Sequence, residues 1–372
     1  MANDRDDSTS SAVTATRRAW LAGALVSAAP ASLAQPALAR EAAPGNPLAP
    51  LLERNRGLRP DYRGGLSNHV SMSLYSLSAL GGTPDQLARF AEASWGKLEP
   101  VPREPGPQLT RDSWREQLGR REALNGFRVF FDQEVAALGR EDTLRRYLPA
   151  LLPGVAAGGF HALIRTGYGV RFADDHEVAD GLAYWAMAFA PLGALGAAGT
   201  TEDPRVLYER IVAEPQLSGA TLSDGLIYEK QRAAAELPGF TGVVNALRPT
   251  ETTLARIAAL CVRLYAQTGG FTALHTVTGA HAYRLLQPFI EPRELGLRHF
   301  WQALVAAYVS VHAPALVEPA ALTVPPWAES ARRARASLDE HDLKLVDIAR
   351  EEEQFYKDPI YRRAAARRMR LL

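Results

Sequence analysis

The sequence predicts an all-α protein built as a single large multi-helix domain. Three observations carry this prediction: apolar residues recur at spacings of three and four, helix-start and helix-stop signals punctuate the chain, and no stretch alternates cleanly between apolar and polar residues. The 372 residues have 47% hydrophobic content, which is enough for a sizeable core. The formal net charge of +1 argues against nucleic acid as the main partner.

The N-terminal residues 1–39 predict a signal peptide. Arg17 and Arg18 precede an apolar stretch too short to span a bilayer comfortably, and Ala37-Leu38-Ala39 follows as a small-x-small cleavage site. The paired arginines indicate twin-arginine export, so we expect residues 40–372 to form the mature domain in the periplasm or outside the cell, with no stable membrane anchor. A hydrophobic N-terminus on a cytoplasmic protein is the alternative. Cys261 is the only cysteine, so no intrachain disulfide is possible.

The helices follow one another from about residue 66 onward. Helical periodicity is clearest, in chain order, in "TPDQLARFAEASW", "LNGFRVFFDQEVAALG", "ETTLARIAALCVRLYAQTGG" and "GLRHFWQALVAAYVSVHA". Threonines at 83, 201 and 250 stand before acidic or proline-containing first turns, and the glycine pairs at 81–82 and 269–270 are typical stops. The proline-rich stretches "PVPREPGPQL" and "VEPAALTVPPW" are short enough to be loops within one domain.

Several common catalytic signatures are absent from the sequence. It contains no GxxxxGK[ST], no HExxH or CxxC pair, and no GxSxG elbow. The stretch "GALGAAG" at 193–199 follows a helix-like run rather than a strand, which makes it a weak candidate for a dinucleotide loop. The sequence therefore contains no motif that supports a nucleotide-dependent or serine-dependent mechanism.

Histidines in apolar, helix-like sequence are the most informative feature. Taken alone, each is more often a hydrogen-bonded core residue than a ligand. Single inward-facing histidines on several helices, however, are typical of metal and cofactor sites in helical bundles. His275 and His281 are six apart and point about 120° away from each other, so they cannot readily share one metal. We prefer His275, because Thr278 and Gly279 lie on its face and leave room. The candidate ligands are His69, His161, His275 and His341.

Lys344 lies three residues after His341 and shares its helix face. A lysine ammonium binds no metal, but a lysine buried beside a cation can lose its proton, and the neutral amine can react with carbon dioxide to give a carbamate with oxygen donors. From the residues alone, a surface lysine in a salt bridge is the better interpretation.

Five blocks of sequence between residues 60 and 350 resemble the questin oxidase-like family. In order they are "NHVSMSLYSLSALGG", "FHALIRTGYGV" with "VADGLAYWA" after it, "LHTVTGAHA", "FWQALVAAYV" and "DEHDLKLV". The resemblance implies an all-helical fold with a helix-lined central site and oxidative ring opening of an anthraquinone or related polycyclic aromatic ketone. Family enzymes are described either as NADPH-dependent Baeyer-Villiger-type oxidases or as non-haem iron enzymes with histidine ligands and a carbamylated lysine. Carried onto this sequence, the ligands would be His69, His161, His275, His341 and Lys344.

Three functions follow as hypotheses. The first is a non-haem iron oxygenase that takes dioxygen and a small aromatic substrate. The second is an NADPH-dependent Baeyer-Villiger-type oxidase of the same substrates. The third is an exported carrier of an aromatic ligand, whose histidines would not converge. Export favours the iron oxygenase over the NADPH-dependent oxidase, since no steady NADPH supply is expected outside the cytoplasm.

Further roles are assigned to residues near the histidines. We expect Arg165 to stabilise a phenolate or enolate oxygen of the substrate, and Tyr168 to form a flat apolar wall. Asp180 stands where the resemblance predicts a glutamate, and with Asn68 and Thr278 it is a candidate for orienting an imidazole. For each of them a helix-packing or surface role is the alternative.

Overall fold

The computed structural model describes residues 46–222, 224–317 and 322–372. The predicted signal peptide and cleavage site lie outside the described residues. The described residues form one two-stranded antiparallel sheet, β1 (Asp61–Tyr62) and β2 (Leu66–Ser67), and seventeen α-helices. The helices are α1 (Ala49–Arg56), α2 (Val70–Ala79), α3 (Pro84–Trp95), α4 (Leu124–Leu138), α5 (Arg140–Leu151), α6 (His161–Arg171), α7 (Asp175–Met187), α8 (Pro204–Ala213), α9 (Pro215–Ser218), α10 (Ile227–Ala235), α11 (Phe240–Ala246), α12 (Thr253–Thr268), α13 (Phe271–Leu286), α14 (Arg293–Val309), α15 (Trp327–Ala336), α16 (Glu340–Tyr356) and α17 (Ile360–Arg368).

The all-α prediction is confirmed, and several predicted helix ends lie where the capping residues indicated. Thr83 accepts from the backbone N–H of Gln86, whose side chain accepts from the N–H of Thr83, so a full capping box opens α3. The start predicted at Thr201 lies two residues later, where Asp203 caps α8 through the N–H of Arg205, and the start predicted at Thr250 lies at Thr252, which precedes α12. Gly269 ends α12 in the left-handed conformation, with φ +64°.

Helix α6 is central to the arrangement that positions the site. It packs against α7 on one side and α13 on the other, while α16 packs against both α2 and α13. Gly181 allows the close approach of α7 to α6, because a Cβ at this position would lie 2.7 Å from the backbone nitrogen of Thr166. Helices α2, α6, α13 and α16 thereby surround one shared interior.

Buried apolar side chains from nearly every helix form one core around this interior. Cys261 is fully buried, and burial raises the pKa of its thiol to about 11, as expected of an inert core cysteine. In the part of the chain that the structure describes, no helix is long and apolar enough to cross a membrane.

Candidate metal centre

Four histidine side chains converge in the interior. His69 immediately precedes α2, His161 is the first residue of α6, His275 is the fifth residue of α13, and His341 is the second residue of α16. The Nε2 atom of His161 lies 2.6 Å from Nε2 of His69 and 3.2 Å from Nε2 of His275. One ligand nitrogen from each of the four histidines lies within 4.8 Å of the ligand nitrogens of the other three. Because the residues belong to four separate helices, only the folded chain brings them together.

A left-handed turn before α6 explains the "GGFH" sequence around His161. Gly158, Gly159 and Phe160 have φ values of 57°, 65° and 72°. Glycine adopts this conformation without penalty, whereas an aromatic residue there costs roughly 1–2 kcal/mol. The turn directs the carbonyl of Gly158 back towards His161, and the carbonyl oxygen lies 2.5 Å from His161 Nδ1. Backbone strain is therefore stored where the first imidazole is positioned.

The hydrogen-bond partners of the imidazoles determine which nitrogen faces the centre. His161 Nδ1 donates to the carbonyl of Gly158, and His275 Nδ1 donates to the carbonyl of Phe271 at 2.8 Å. A carbonyl oxygen only accepts, so the hydrogen must be on Nδ1, and Nε2 presents a lone pair. Both rings are thereby held by backbone in the tautomer that binds metals.

The other two imidazoles face carboxylates instead of carbonyls. His341 Nδ1 donates to Asp339 at 3.2 Å, and its Nε2 has no partner. His69 Nδ1 lies 3.2 Å from Glu340, outside good hydrogen-bond angles. Cations near the surface hold these carboxylates: Arg368 lies against Asp339, and Lys97 donates to both oxygens of Glu340. The charge around the centre is thus set by two neighbouring acids at the start of α16.

The four imidazoles are neutral in this environment. Burial is the largest cause that lowers the pKa of all four histidines, and neighbouring imidazoles and Lys344 lower the pKa of His69, His161 and His275 further. For His341, burial and Lys344 lower the pKa and outweigh the opposing effect of Asp339 and Glu340. Neutral imidazoles offer lone pairs, which is the form that a metal ion requires.

Nitrogen separations in the cluster fit a shared cation. Metal–nitrogen bonds of about 2.0–2.1 Å place neighbouring ligand nitrogens about 2.8–3.4 Å apart at angles between 90° and tetrahedral. The observed 3.2 Å lies within that range, and the observed 2.6 Å lies about 0.2 Å below it. Without a cation, no partner holds the hydrogen of His69 on Nδ1, so His69 Nε2 can donate to the lone pair of His161 Nε2, whereas one bound metal would accept a lone pair from each of the four imidazoles.

Lys344 is buried in the same interior, one turn after His341. Its side chain has no solvent exposure, and Nζ has no hydrogen-bond partner. Burial lowers the pKa of the ammonium to about 8. The surface salt bridge favoured by the sequence alone is therefore wrong, because the amine lies where no acid pairs with it.

Arg165 and Asp180 belong to a buried ion network beside the centre. The Arg165 guanidinium donates to both oxygens of Glu177 and to Asp180 at 3.0 to 3.1 Å. Arg128 and Arg56 also donate to Asp180. These contacts tie α6 to α7, and the predicted contact of Arg165 with substrate stays a prediction.

Other predicted neighbours also bind protein groups. The Tyr168 hydroxyl lies 2.6 Å from the hydroxyl of Ser76, so its role as a substrate wall stays a prediction. Asn68 donates to Asn55 and to the carbonyl of Arg59, and Thr278 donates to the carbonyl of His275. The imidazole nitrogens themselves face Gly158, Phe271, Asp339 and Glu340, none of which the sequence analysis assigned. The acidic pair directly before His341 was the available signal for the last two.

His281 lies in a second cluster, with Glu351 and Glu352. Its Nε2 lies 3.4 and 3.9 Å from these two carboxylates. Arg284 contacts both acids at 2.7 and 2.6 Å, and Arg171 contacts Glu351 at 2.6 Å. The guanidiniums already neutralise the acids and would repel a cation, so this cluster is a buried ion network rather than a metal site.

A groove of about 1070 Å³ lies away from the histidine cluster. It is lined by parts of α1, α2 and α3 and by the connection between α6 and α7, including Tyr75, Phe172 and Asp174. None of its lining residues belongs to the cluster. The groove therefore does not coincide with the place where the four imidazoles meet.

Comparison with known proteins agrees with the resemblance seen in the motifs. A family model described as questin oxidase-like matches residues 66–347. A Baeyer-Villiger oxidase of Pestalotiopsis microspora is 27% identical over 48% of this chain and 42% of its own length. A questin oxidase of Aspergillus terreus is 25% identical over 75% of this chain and 73% of its own. An oxidoreductase of Aspergillus parasiticus is 26% identical over 76% of this chain and 67% of its own length. The chain thus spans less than half of the first relative and about two thirds or more of the other two.

Proposed function

Because the chain belongs to the questin oxidase-like family, we propose that it is a non-haem iron oxygenase that cleaves a ring C–C bond of an anthraquinone or related polycyclic aromatic ketone. The convergence of four buried, neutral imidazoles carries the proposal. The names of the relatives, questin oxidase and Baeyer-Villiger oxidase, support an oxidoreductase of this substrate class.

His69, His161, His275 and His341 would hold the metal, and iron in a mostly imidazole shell supplies binding and reduction of dioxygen. The chain itself contributes the rigidity of that shell. Backbone carbonyls lock two of the rings, and carboxylates at the start of α16 face the other two. Burial excludes bulk water, which protects reactive oxygen species from side reactions. An electron-rich aromatic substrate can supply the electrons, so the reaction requires no NADPH.

Lys344 completes the donor set in this proposal as a carbamate. Four neutral imidazoles bring no negative charge, and the N-termini of α2, α6 and α16 add partial positive charge near the centre. The unpartnered Nζ of Lys344 attacks carbon dioxide, an N–C bond forms, and the nitrogen releases a proton. The resulting carbamate offers the anionic oxygen that the histidines lack. Complete burial protects it from hydrolysis.

The NADPH-dependent oxidation remains as the second candidate, favoured by the Baeyer-Villiger name of a relative. The sequence argues against it, because the glycine-rich stretch at 193–199 follows a helix-like run rather than a strand and is only a weak candidate for a dinucleotide loop. The carrier hypothesis predicts histidines that do not converge, and the structure contradicts it on that point. Export by a twin-arginine signal stays part of the proposal, resting on Arg17 and Arg18, and places the oxygenase in the periplasm or outside the cell.

Oxygen uptake with hydroxyanthraquinones tests the proposal. Protein reconstituted anaerobically with ferrous iron should consume dioxygen without NADPH. His275→Ala should abolish uptake, while His176→Ala, at a histidine 65% exposed and outside the cluster, should leave it unchanged. Uptake by metal-free protein that depends on NADPH would instead support the second candidate. Binding of the anthraquinone without any turnover would support the carrier.

A further inference from the structure

Phe271 is both exposed to solvent and in contact with the histidine cluster. It is the first residue of α13, and it is 56% exposed to solvent. Its ring centroid nevertheless lies 4.6 Å from the ring of His275 and 4.9 Å from the ring of His341, both in edge-to-face geometry. On this side, the metal centre therefore lies beneath the surface by the thickness of a single aromatic side chain.

The backbone and the side chain of Phe271 do separate things. Its carbonyl accepts the hydrogen bond from His275 Nδ1, and this contact depends only on the helical backbone after the Gly269-Gly270 turn. The ring contributes the two imidazole contacts and the exposed face. A substitution of the side chain therefore keeps the bond that orients His275 and removes only the ring.

Phe355 shows that exposure alone does not give Phe271 its position. Phe355 is 47% exposed, and its ring packs against Tyr356 and beneath the Arg284 guanidinium. A single exposed aromatic is common on protein surfaces and needs no explanation. The contact with two candidate ligands distinguishes Phe271, and Phe355 serves as its matched control.

We infer that Phe271 is the outer wall of the metal centre and determines specificity for flat aromatic substrates. Its inner edge shields His275 and His341 from water and dissolved chelators, and its exposed face stacks against a ring of the arriving anthraquinone. The inference rests on the proposed function, since it names the residue by which that site selects its substrate class. The central dione ring of an anthraquinone is electron-poor, in contrast to the hydroxylated outer rings that would supply the electrons, and its stacking on the electron-rich face of phenylalanine is electrostatically favourable.

Two readouts separate shielding from stacking. Loss of ferrous iron to 1,10-phenanthroline, followed anaerobically by the colour of the complex, reports access to the centre. Anaerobic titration with 1,8-dihydroxyanthraquinone reports binding without turnover. Phe271→Ala should speed iron loss several-fold and raise the dissociation constant about two- to tenfold, the range for loss of one aromatic contact. Phe271→Leu restores apolar bulk but not the flat ring, so iron loss should stay close to the wild-type rate while binding is weakened. Phe271→Trp should keep both properties, and Phe355→Ala should change neither.

The outcomes distinguish a failure of the role assigned to Phe271 from a failure of the proposed iron-dependent function. Wild-type rates of iron loss in Phe271→Ala, together with unchanged anthraquinone affinity in the alanine and leucine variants, would overturn the inference. Wild-type protein that binds no iron would overturn the proposed function, and titration of the metal-free variants would still decide whether Phe271 contacts the ligand. Circular dichroism of each variant checks the fold, and the leucine variant keeps the test decisive if the alanine variant does not fold.

Discussion

Glu340 offers the sharpest single perturbation of the centre that leaves all proposed ligands intact. Its carboxylate lies between His69 Nδ1, at 3.2 Å, and the Lys97 ammonium, at 3.1 Å. Glu340→Gln keeps the size and shape of the side chain and removes one negative charge. The Lys97 ammonium then remains opposite His69 without a counter-charge. We therefore expect weaker metal binding with the four imidazoles still in place.

Partners of ligand histidines usually contribute a factor of about 10–100 to metal affinity. For Glu340→Gln, that factor corresponds to about 1.4–2.7 kcal/mol of metal-binding free energy. Because metal binding stabilises only the folded chain, the metal-loaded variant should lose about that much stability at a fixed metal concentration. The melting temperature of the loaded protein should fall by a few degrees, on the order expected for a domain of this size. Metal-free variant and metal-free wild type should melt at similar temperatures.

Competition against a fluorescent chelator gives the affinity, and calorimetry of loaded and metal-free protein gives the two melting temperatures. Glu92→Gln is the matched control, since Glu92 forms an exposed ion pair with Arg54 away from the centre. Lys97→Met combined with Glu340→Gln should recover part of the affinity, because the double change also removes the unopposed ammonium. Equal metal affinity in wild type and Glu340→Gln would refute the role of this carboxylate.

Three further perturbations address the residues around the cluster. Lys344→Met removes a buried amine that has no partner, so we expect lower iron content by elemental mass spectrometry but no loss of metal-free stability; full iron content would exclude Lys344 as a ligand. Arg165→Met leaves buried Glu177 and Asp180 without their shared cation and should cost about 3–5 kcal/mol in urea unfolding; a stable but inactive variant would favour contact with substrate. Burial raises the pKa of the Asp180 carboxyl, but the surrounding guanidiniums lower it more, so its pKa in the folded chain lies below the ordinary value of 3.8. The ionised carboxylate therefore stabilises the fold above pH 3.8, and this stabilisation is lost as the pH falls through the lower pKa of the folded chain. The stability difference between wild type and Asp180→Asn should therefore be full at neutral pH and narrow under acid conditions, and a difference that widens there would contradict the assignment.

Helical periodicity and capping residues predicted the fold because both are local. The capping box at Thr83 and the stop at Gly269 involve residues within a few positions of one another. The two-stranded sheet at residues 61–67 was too short for alternation to reveal. Family membership was predicted from ordered blocks of sequence, and the family model confirms it.

The histidines were selected by their surroundings, but their partners depended on tertiary contacts. Glu340 reaches His69 across 271 positions of sequence, a relationship that no spacing within α16 reveals. The interpretation of Lys344 failed for the same reason, since a lysine amid acids in sequence can point inward once its helix packs. The room expected beside His275 at Gly279 is filled by Phe160, which lies 3.4 Å from the position of a Cβ there. Helix packing, rather than local pattern, decides each of these points.

Metal content of protein purified without a polyhistidine tag tests the central claim most directly. Elemental mass spectrometry should find near-stoichiometric iron in the wild type and in His176→Ala. The same measurement should find none in His161→Ala or His275→Ala, because each removes one of the converging Nε2 donors. A folded wild type that stays metal-free after anaerobic exposure to ferrous iron would contradict the account, and the four histidines would then be core residues bonded to one another.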